Sequence, residues 1–286
     1  MMRFLQSCVY SLDVMIYFRG KSNNEKLRKI LSIILIPAGI IRYVYVSIKA
    51  MFINTKSERC AVALIIKNEG KYIKEYIEYY TALDCDLIIY DNDSDDGTAS
   101  IVKKYKYIMF FDADEFLIAD DLLKGKSLYQ ILDSVFKRQK KIACLGINWL
   151  IFGSSNLVED PEDGVINAFT HCARDEFEWN QLVKSCVIPS KIIGWVNPHL
   201  PLQAFGYKKI NLDGKKIVQP RNELPKKKKI RLYHYFVKNK KHFEEKVNKG
   251  MADRNAKRSM EEFYYYDKND VINYKAISVR DYILKK

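Results

Sequence analysis

Residues 107–116 read Tyr-Ile-Met-Phe-Phe-Asp-Ala-Asp-Glu-Phe. The five residues ahead of the first acid are apolar or aromatic, the pattern of a buried strand. Three carboxylates follow: Asp112, Asp114 and Glu115. Acids at the end of a buried strand cost free energy unless they are paired, hydrogen-bonded or on a metal. In an open α/β sheet, the carboxyl ends of the strands are where ligands bind. If the strand stays extended, Asp112 and Asp114 share one face, because side chains alternate with a period of two. Two hard oxygen ligands suit Mn2+ or Mg2+ held jointly with a phosphate. The alternative is an acidic loop without a ligand.

Upstream, residues 60–66 (Cys-Ala-Val-Ala-Leu-Ile-Ile) form a strand with both faces apolar, which breaks at Lys67-Asn68-Glu69-Gly70. A helix is predicted over 71–83, with Tyr72, Ile73, Tyr76, Ile77 and Tyr80 at helical spacing. Residues 86–90 make a second buried strand, which runs into Asp91-Asn92-Asp93-Ser94-Asp95-Asp96-Gly97-Thr98. A calcium loop wants Gly in sixth place and Glu in twelfth. Counted from Asp91, Gly97 is seventh and Val102 twelfth, so that reading fails. Asp96 or Thr98 caps a short helix ending near Tyr105. Strand–helix–strand–helix–strand with apolar strands predicts an α/β fold, a doubly wound, mostly parallel sheet with flanking helices. Only residues 99–106 separate Thr98 from Tyr107, about 12 Å of helix and short for a parallel crossover.

Downstream, helix is predicted over 127–138 and strand over 142–152, with a turn at Gly153-Ser154-Ser155. Residues 156–164 read as an exposed acidic loop. Residues 165–180 begin helical and carry His171, Arg174, Asp175, Glu176, Glu178 and Trp179. Strands follow at 182–188 and, after the basic run 226–229, at 230–237. From 240 the chain is helical and charged, with a tyrosine patch at 264–266.

The 286 residues are 48% hydrophobic, with a net charge of +13. Residues 1–56 hold nine Lys/Arg against Asp13 and Glu25, and residues 208–260 hold eighteen against five acids. Such charge favours an anionic partner. No basic–aromatic recognition motif stands in the sequence and the charge sits at the two ends, so nucleic acid is not the expected partner. Six scattered cysteines without Cys-x-x-Cys read as reduced thiols in a cytoplasmic setting, neither a zinc site nor a disulfide scaffold. The first residues make no clear secretory signal.

Residues 30–41 are nearly all apolar, and the stretch continues to 52 through Arg42 and Lys49. Twelve such residues fall short of the about 20 that cross a bilayer, and Pro37 and Gly39 would kink the longer stretch. Three readings stand: a helical segment lying on an anionic membrane surface, a helical hairpin packed on the protein's own core, and a true span. Basic flanks and tyrosines favour the first. The chain thus divides into a basic, apolar membrane-associating segment (1–56), an α/β domain (57–250) and a helical tail (251–286).

Three stretches in order, CAVALIIKNEGKYIKEYIEYYTALDCD (60–86), LIIYDNDSDDGT (87–98) and YIMFFDADEFL (107–117), resemble glycosyltransferases of family 2 and the family-92-like group, which have the GT-A fold. Pieces at 149–155, 184–189, 231–236 and 243–246 agree, and the resemblance covers about residues 60–250. Relatives usually carry a further strand–helix unit between the Asp-Gly-Thr loop and the Asp-x-Asp strand, which this chain lacks. The resemblance implies transfer of a sugar from a nucleotide-sugar donor to an acceptor hydroxyl, with inversion at the anomeric carbon as the family-level expectation. It implies that Lys67, Asn68, Glu69, Asp91, Asn92 and Asp93 meet the nucleoside, and that Asp112 and Asp114 hold Mn2+ or Mg2+ on the diphosphate. His234 is a candidate third ligand, or else a strand histidine in an ordinary hydrogen bond. Glu115 could orient the metal-bound groups. Lys226 to Lys229 and Lys238 could close over the diphosphate, or else form a solvated face. The base for an inverting transfer is expected among Asp175, Glu176 and Glu178, with Glu176 favoured and His171 a further option. The expected acceptor is a glycan or lipid-linked glycan in cell-surface polysaccharide synthesis, at the inner face of the membrane. The alternative is a catalytically degenerate GT-A relative that acts as an interaction or scaffold protein.

Overall fold

The computed structural model describes residues 2–10, 25–53, 57–66, 72–91, 105–195, 197–226, 228–249 and 258–285. The amino-terminal helices are α1 (Met2–Tyr10), α2 (Glu25–Ile34) and α3 (Ile36–Phe52). Next come β1 (Cys60–Ile66), α4 (Ile73–Ala82), β2 (Cys85–Asp91), β3 (Tyr107–Phe110), β4 (Glu115–Ala119), α5 (Leu128–Phe136) and β5 (Ile142–Ile151). Then follow α6 (Gly164–Ala168), β6 (His171–Cys172), β7 (Val183–Val187), β8 (Ile192–Trp195), β9 (Pro201–Gln203), β10 (Lys208–Ile210) and β11 (Ile230–His234). The chain closes with α7 (Lys240–Lys249), α8 (Met260–Tyr266), β12 (Val271–Ile272) and α9 (Lys275–Leu284).

One sheet of eight strands runs in the order β2-β1-β3-β7-β5-β11-β4. Strand β10 shares with β11 one edge of β5, Lys208–Ile210 beside its first half and Leu232–His234 beside Trp149 to Ile151. The sheet is mostly parallel; β7 and β4 run against the rest. An α/β fold is therefore present, and its strands β1, β2, β3, β5, β7 and β11 fall where apolar runs predict them. The expected helix after Thr98 lies in 92–104, outside the described residues.

Strand β1 divides its side chains between two cores. Cys60, Val62 and Leu64 join the larger one, covered by α4, α5 and α9, while Ala61 and Ala63 join the smaller one on the opposite face. A capping box between Ser127 and Gln130 starts α5, satisfying helix-end donors that would otherwise be orphaned. On the larger face, Tyr76, Tyr79 and Tyr80 of α4 surround Phe116, with centroids at 5.5, 5.2 and 6.4 Å. The hydroxyls of Tyr79 and Tyr80 complete the open edge of β4. Tyr79 donates to Leu117 O (2.7 Å) and Tyr80 to Glu115 O (2.9 Å), while Leu117 N–H donates to Tyr80 (3.1 Å). An edge strand buried without such partners would be costly.

The smaller face is covered by the β8–β9 hairpin, whose Trp195 packs on Phe110 at 4.4 Å. Helix α3 packs on the outside of that hairpin. Residues 258–285 are built into the main body: Ala276, Val279 and Ile283 of α9 sit in the larger core, and β12 pairs with β6. Ser154 and Ser155 N–H donate to Asp267 (2.6 Å) and Asn269 (2.8 Å). Gly153 permits that approach, since a Cβ there would stand 2.5 Å from Asn269 Oδ1. All six cysteines are buried and outside any disulfide.

Phe116→Ala would remove a fully buried ring from among four aromatic neighbours. A loss of about 3–5 kcal/mol is expected in urea denaturation, and a loss under about 1 kcal/mol would refute this account of the core.

Candidate functional site

The parallel strands β1, β2, β3, β5 and β11 end on one rim of the sheet, and the acids follow β3 there. The chain does not stay extended, so Asp112 and Asp114 are not related by strand alternation. It leaves β3 after Phe110 and turns, Glu115 N–H donating to Asp112 O at 3.1 Å, before β4 sets off. The turn separates the two carboxylates in environment. Asp112 is 59% exposed and Asp114 13%.

Lys184 of β7 governs the Asp112 side. Its ammonium, 5% exposed, stands 2.8 Å from Asp112 Oδ2 and 3.8 Å from Glu115 Oε2. Burial works against that ammonium, but Asp112 and Glu115 outweigh it and hold the lysine above its ordinary range. Glu115 is fully buried, and its Oε2 accepts the Asp112 N–H at 2.8 Å. Burial pushes this carboxyl well above the usual range; Lys184 opposes that, while the charges on Asp112 and Asp114 add to it.

Asp114 has a second set of partners. His234, at the end of β11, brings Nε2 to 3.4 Å from Oδ1, and Lys246 of α7 brings Nζ to 3.3 Å from Oδ2. Burial alone would raise the Asp114 pKa, but Lys246 and His234 outweigh it and hold the group well below the carboxylate range. The His234 ring lies on Trp149 at 4.4 Å. Its Nδ1 is 4.0 Å from Glu115 Oε1, and both atoms are buried without a hydrogen-bond partner.

That pair of orphaned atoms bears on the expected metal. Among the described residues, no three His, Cys, Asp or Glu side chains form a ready-made metal cluster. The Asp114–His234 pair supplies a carboxylate oxygen and an imidazole nitrogen, a donor set that suits Mn2+ or Mg2+ completed by phosphate or water oxygens. Ligation through Nε2 would leave the Nδ1 proton facing Glu115 Oε1, an oxygen acceptor placed as such acceptors stand behind metal-ligating histidines. Asp112 is turned to Lys184 and stands beside that pair.

The basic surround is richer than its sequence suggests. Lys238, in the left-handed region at φ 53°, is buried with its ammonium 4.0 Å from the Tyr72 ring centre, and its charge also helps hold Asp114 down. His242 is buried, with neither ring nitrogen hydrogen-bonded. Burial, with Lys238 and Lys246 nearby, pushes its pKa down to about 3. Within the run 226–229, Lys228 pairs with Asp175 at 2.5 Å, Lys226 and Lys229 are exposed, and Lys227 lies outside the described residues.

The candidate bases sit apart from the aspartate turn in their bonding. Asp175 also holds Arg231 at 3.0 Å, Glu176 is exposed, and Glu178 pairs with Arg221 at 2.6 Å and accepts from Tyr265 at 2.5 Å. Glu178 lines an open depression of about 370 Å³ with Trp179, Tyr265 and Tyr266. One ring, Phe236, bridges it to the rim, 4.7 Å from Tyr266 and 5.5 Å from His234. His171 lies on β6, near Thr170. Asp91 closes β2 on the rim opposite Ile66. The Asp91 side chain and residues Lys67, Asn68, Glu69, Asn92 and Asp93 lie outside the described residues.

Lys184 and Lys246 are the site residues that periodicity missed. Lys184 leaves a signal, a lone charge in the otherwise buried run Val183–Val187, which requires a buried counter-charge. No protein-family model matches the chain, and no curated protein does.

The neutral burial of His242 has a consequence for stability. Between its free value of 6.5 and about 3 the unfolded chain binds a proton there that the folded chain refuses. Stability is therefore lost as pH falls through that window, by up to about 1.4 kcal/mol per pH unit from this residue. Urea midpoints of His242→Phe should fall less steeply with acid than those of the parent; equal slopes would show that His242 titrates freely.

Proposed function

We propose that this chain is a glycosyltransferase of the GT-A type, moving a sugar from a nucleoside-diphosphate donor to an acceptor hydroxyl with a divalent cation. One observation carries the reading: Asp114 and His234 stand 3.4 Å apart at the carboxyl ends of parallel strands, with Lys184 and Lys246 paired to the same acidic turn. Carboxylates alone would repel a diphosphate, and lysines alone would take any polyanion. Both together suit a cation and the phosphates it accompanies.

Asp114 and His234 would hold the ion, with Glu115 behind His234. When bound, Mn2+ or Mg2+ supplies Lewis acidity that eases departure of the nucleoside diphosphate. Lys246 and Lys238 draw phosphate charge to the rim, and Lys184 fixes the Asp112 carboxylate. Strands β1 and β2 end on this rim, and the resemblance assigns residues 67–69 and 91–93, which follow or close them in sequence, to the nucleoside. The aromatic depression beside Phe236 suits a glycan acceptor, since sugar rings lay their apolar faces on aromatic rings. Glu178 lines it, where Tyr265 and Arg221 hold its carboxyl below the usual range. Of the three acids, Glu178 is the one that lines this depression, so it becomes the favoured base.

Calorimetric titration with Mn2+ and a panel of UDP-, GDP- and dTDP-sugars should reveal metal-dependent donor binding. Asp114→Asn should weaken it by at least about 100-fold. No binding across the panel with Mn2+ or Mg2+ would sink the proposal. A second reading rests on the ion pairs themselves: Lys184 and Lys246 already compensate Asp112 and Asp114, as expected of a non-catalytic relative that kept the fold for interaction. Donor binding without turnover, and a phenotype unchanged by Asp112→Ala with Asp114→Ala, would favour that reading.

A further inference from the structure

Helix α3 is built the wrong way round for a helix exposed to water. Its inward face is small: Gly39, Ser47 and Ala50 are buried. A Cβ on Gly39 would stand 2.9 Å from the backbone of Cys8, so α1 lies closer there than a side chain at position 39 would allow. Its outward face is large and apolar. Ile41 is 69% exposed and Phe52 82%, with Val44, Ile48 and Met51 between them. Positions 41, 44, 48 and 52 repeat at helical spacing. Ile30, Ile33 and Ile34 of α2 extend the same exposed apolar surface. Isolated exposed apolar residues need no explanation, but a contiguous run over two helices does.

Charge chooses the occupant. Residues 25–53 carry Lys26, Arg28, Lys29, Arg42 and Lys49 against Glu25 alone. Lys49 is exposed at the rim of the apolar face, its ammonium 4.4 Å from the Tyr45 ring centre. A second copy would bring the same positive rim against this one, whereas an anionic bilayer offers hydrocarbon for the isoleucines and phosphate for the lysines. Among the described residues, no helix is long and apolar enough to cross a membrane. The 17 residues of α3 reach about 25 Å, short of the roughly 30 Å hydrocarbon core. The helix is also fixed along its length. Lys191 Nζ donates to Ala50 O and, at 2.6 Å, to Ile53 O, and Phe205 N–H donates to Ser47 at 2.9 Å.

We infer that the outward face of α2 and α3 docks flat on an anionic lipid bilayer without crossing it. The β8–β9 hairpin to which α3 is bolted also packs Trp195 on Phe110, two residues before Asp112. Resting on the transferase reading, this places the rim close to the lipid surface, so the acceptor would be membrane-borne.

Flotation of the full chain with vesicles tests the docking without measuring sugar transfer, so its failure and that of the transferase reading are distinguishable. The chain should float with vesicles of equal parts phosphatidylcholine and phosphatidylglycerol, less so as salt rises, and stay behind with phosphatidylcholine alone. The triple variant Ile41→Ser, Ile48→Ser, Phe52→Ser should keep the parent's melting temperature, because all three side chains are exposed. Its partitioning should fall by about tenfold or more. Absence of flotation, equal flotation of the triple variant, or equal binding to neutral vesicles would overturn the inference. A concentration-dependent dimer abolished by the triple variant, without vesicle binding, would overturn it in favour of a second copy.

Discussion

A buried ammonium organises the rim of this sheet. Lys184 sits in β7, the strand that runs against its neighbours between β3 and β5. A parallel strand at that place would enter the rim by its last residue; an antiparallel one enters by its first, and so delivers Lys184 beside the turn that follows β3. The charge cannot stand there alone. Removing one partner of a buried ion pair costs on the order of 3–5 kcal/mol, because the other is left desolvated. Asp112 and Glu115 answer the ammonium, and Glu115 in turn accepts the Asp112 N–H. The acidic turn thus keeps its shape because a lysine 72 residues further along the chain requires it.

The same turn is held from the opposite direction by the core. Tyr80 donates to the carbonyl of Glu115 while its ring stacks on Phe116. One helix therefore fills the larger core with its tyrosine rings and closes the edge of β4 with their hydroxyls. An apolar helix of the same shape would fill the core as well, but would leave Leu117 and Glu115 with unpaired backbone groups. The preference for tyrosine over phenylalanine at positions 79 and 80 of α4 follows from that hydrogen-bond requirement.

Local chemistry made much of this legible from sequence. Runs such as Cys60–Ile66 and Ile142–Ile151 are apolar on both faces, so their strand character and burial follow without knowledge of neighbours. Ser127 and Gln130 announce the start of α5 in the same way. Non-local pairing was not legible. Nothing in Val183–Val187 says that it runs antiparallel, and Glu115–Ala119 looks like the tail of the preceding strand until a turn is seen to divide them. The assumption of an extended chain through Asp112 and Asp114 failed for that reason: the bond from Glu115 N–H to Asp112 O and the demand of Lys184 bend the chain. His234 was legible as a candidate, but its partnership with Asp114 depends on β11 lying beside both β4 and β5.

The amino-terminal helices follow from the same contrast between local and non-local information. Their apolar character is plain in the sequence, yet it leaves membrane docking, packing on the core and spanning all open. The structure divides that character between two faces of one helix. Gly39 and Ala50 meet protein, while Ile41 and Phe52 do not. The small residues allow α3 to lie close against α1 and the hairpin, and that close seating turns the large residues outward as one surface. Packing on the protein and an exposed apolar face are therefore complementary consequences of one helix. Because Lys191 fastens its carboxyl end to the hairpin that bears Trp195, any body that docks on the outward face is connected to Phe110 through packed side chains, without an intervening linker.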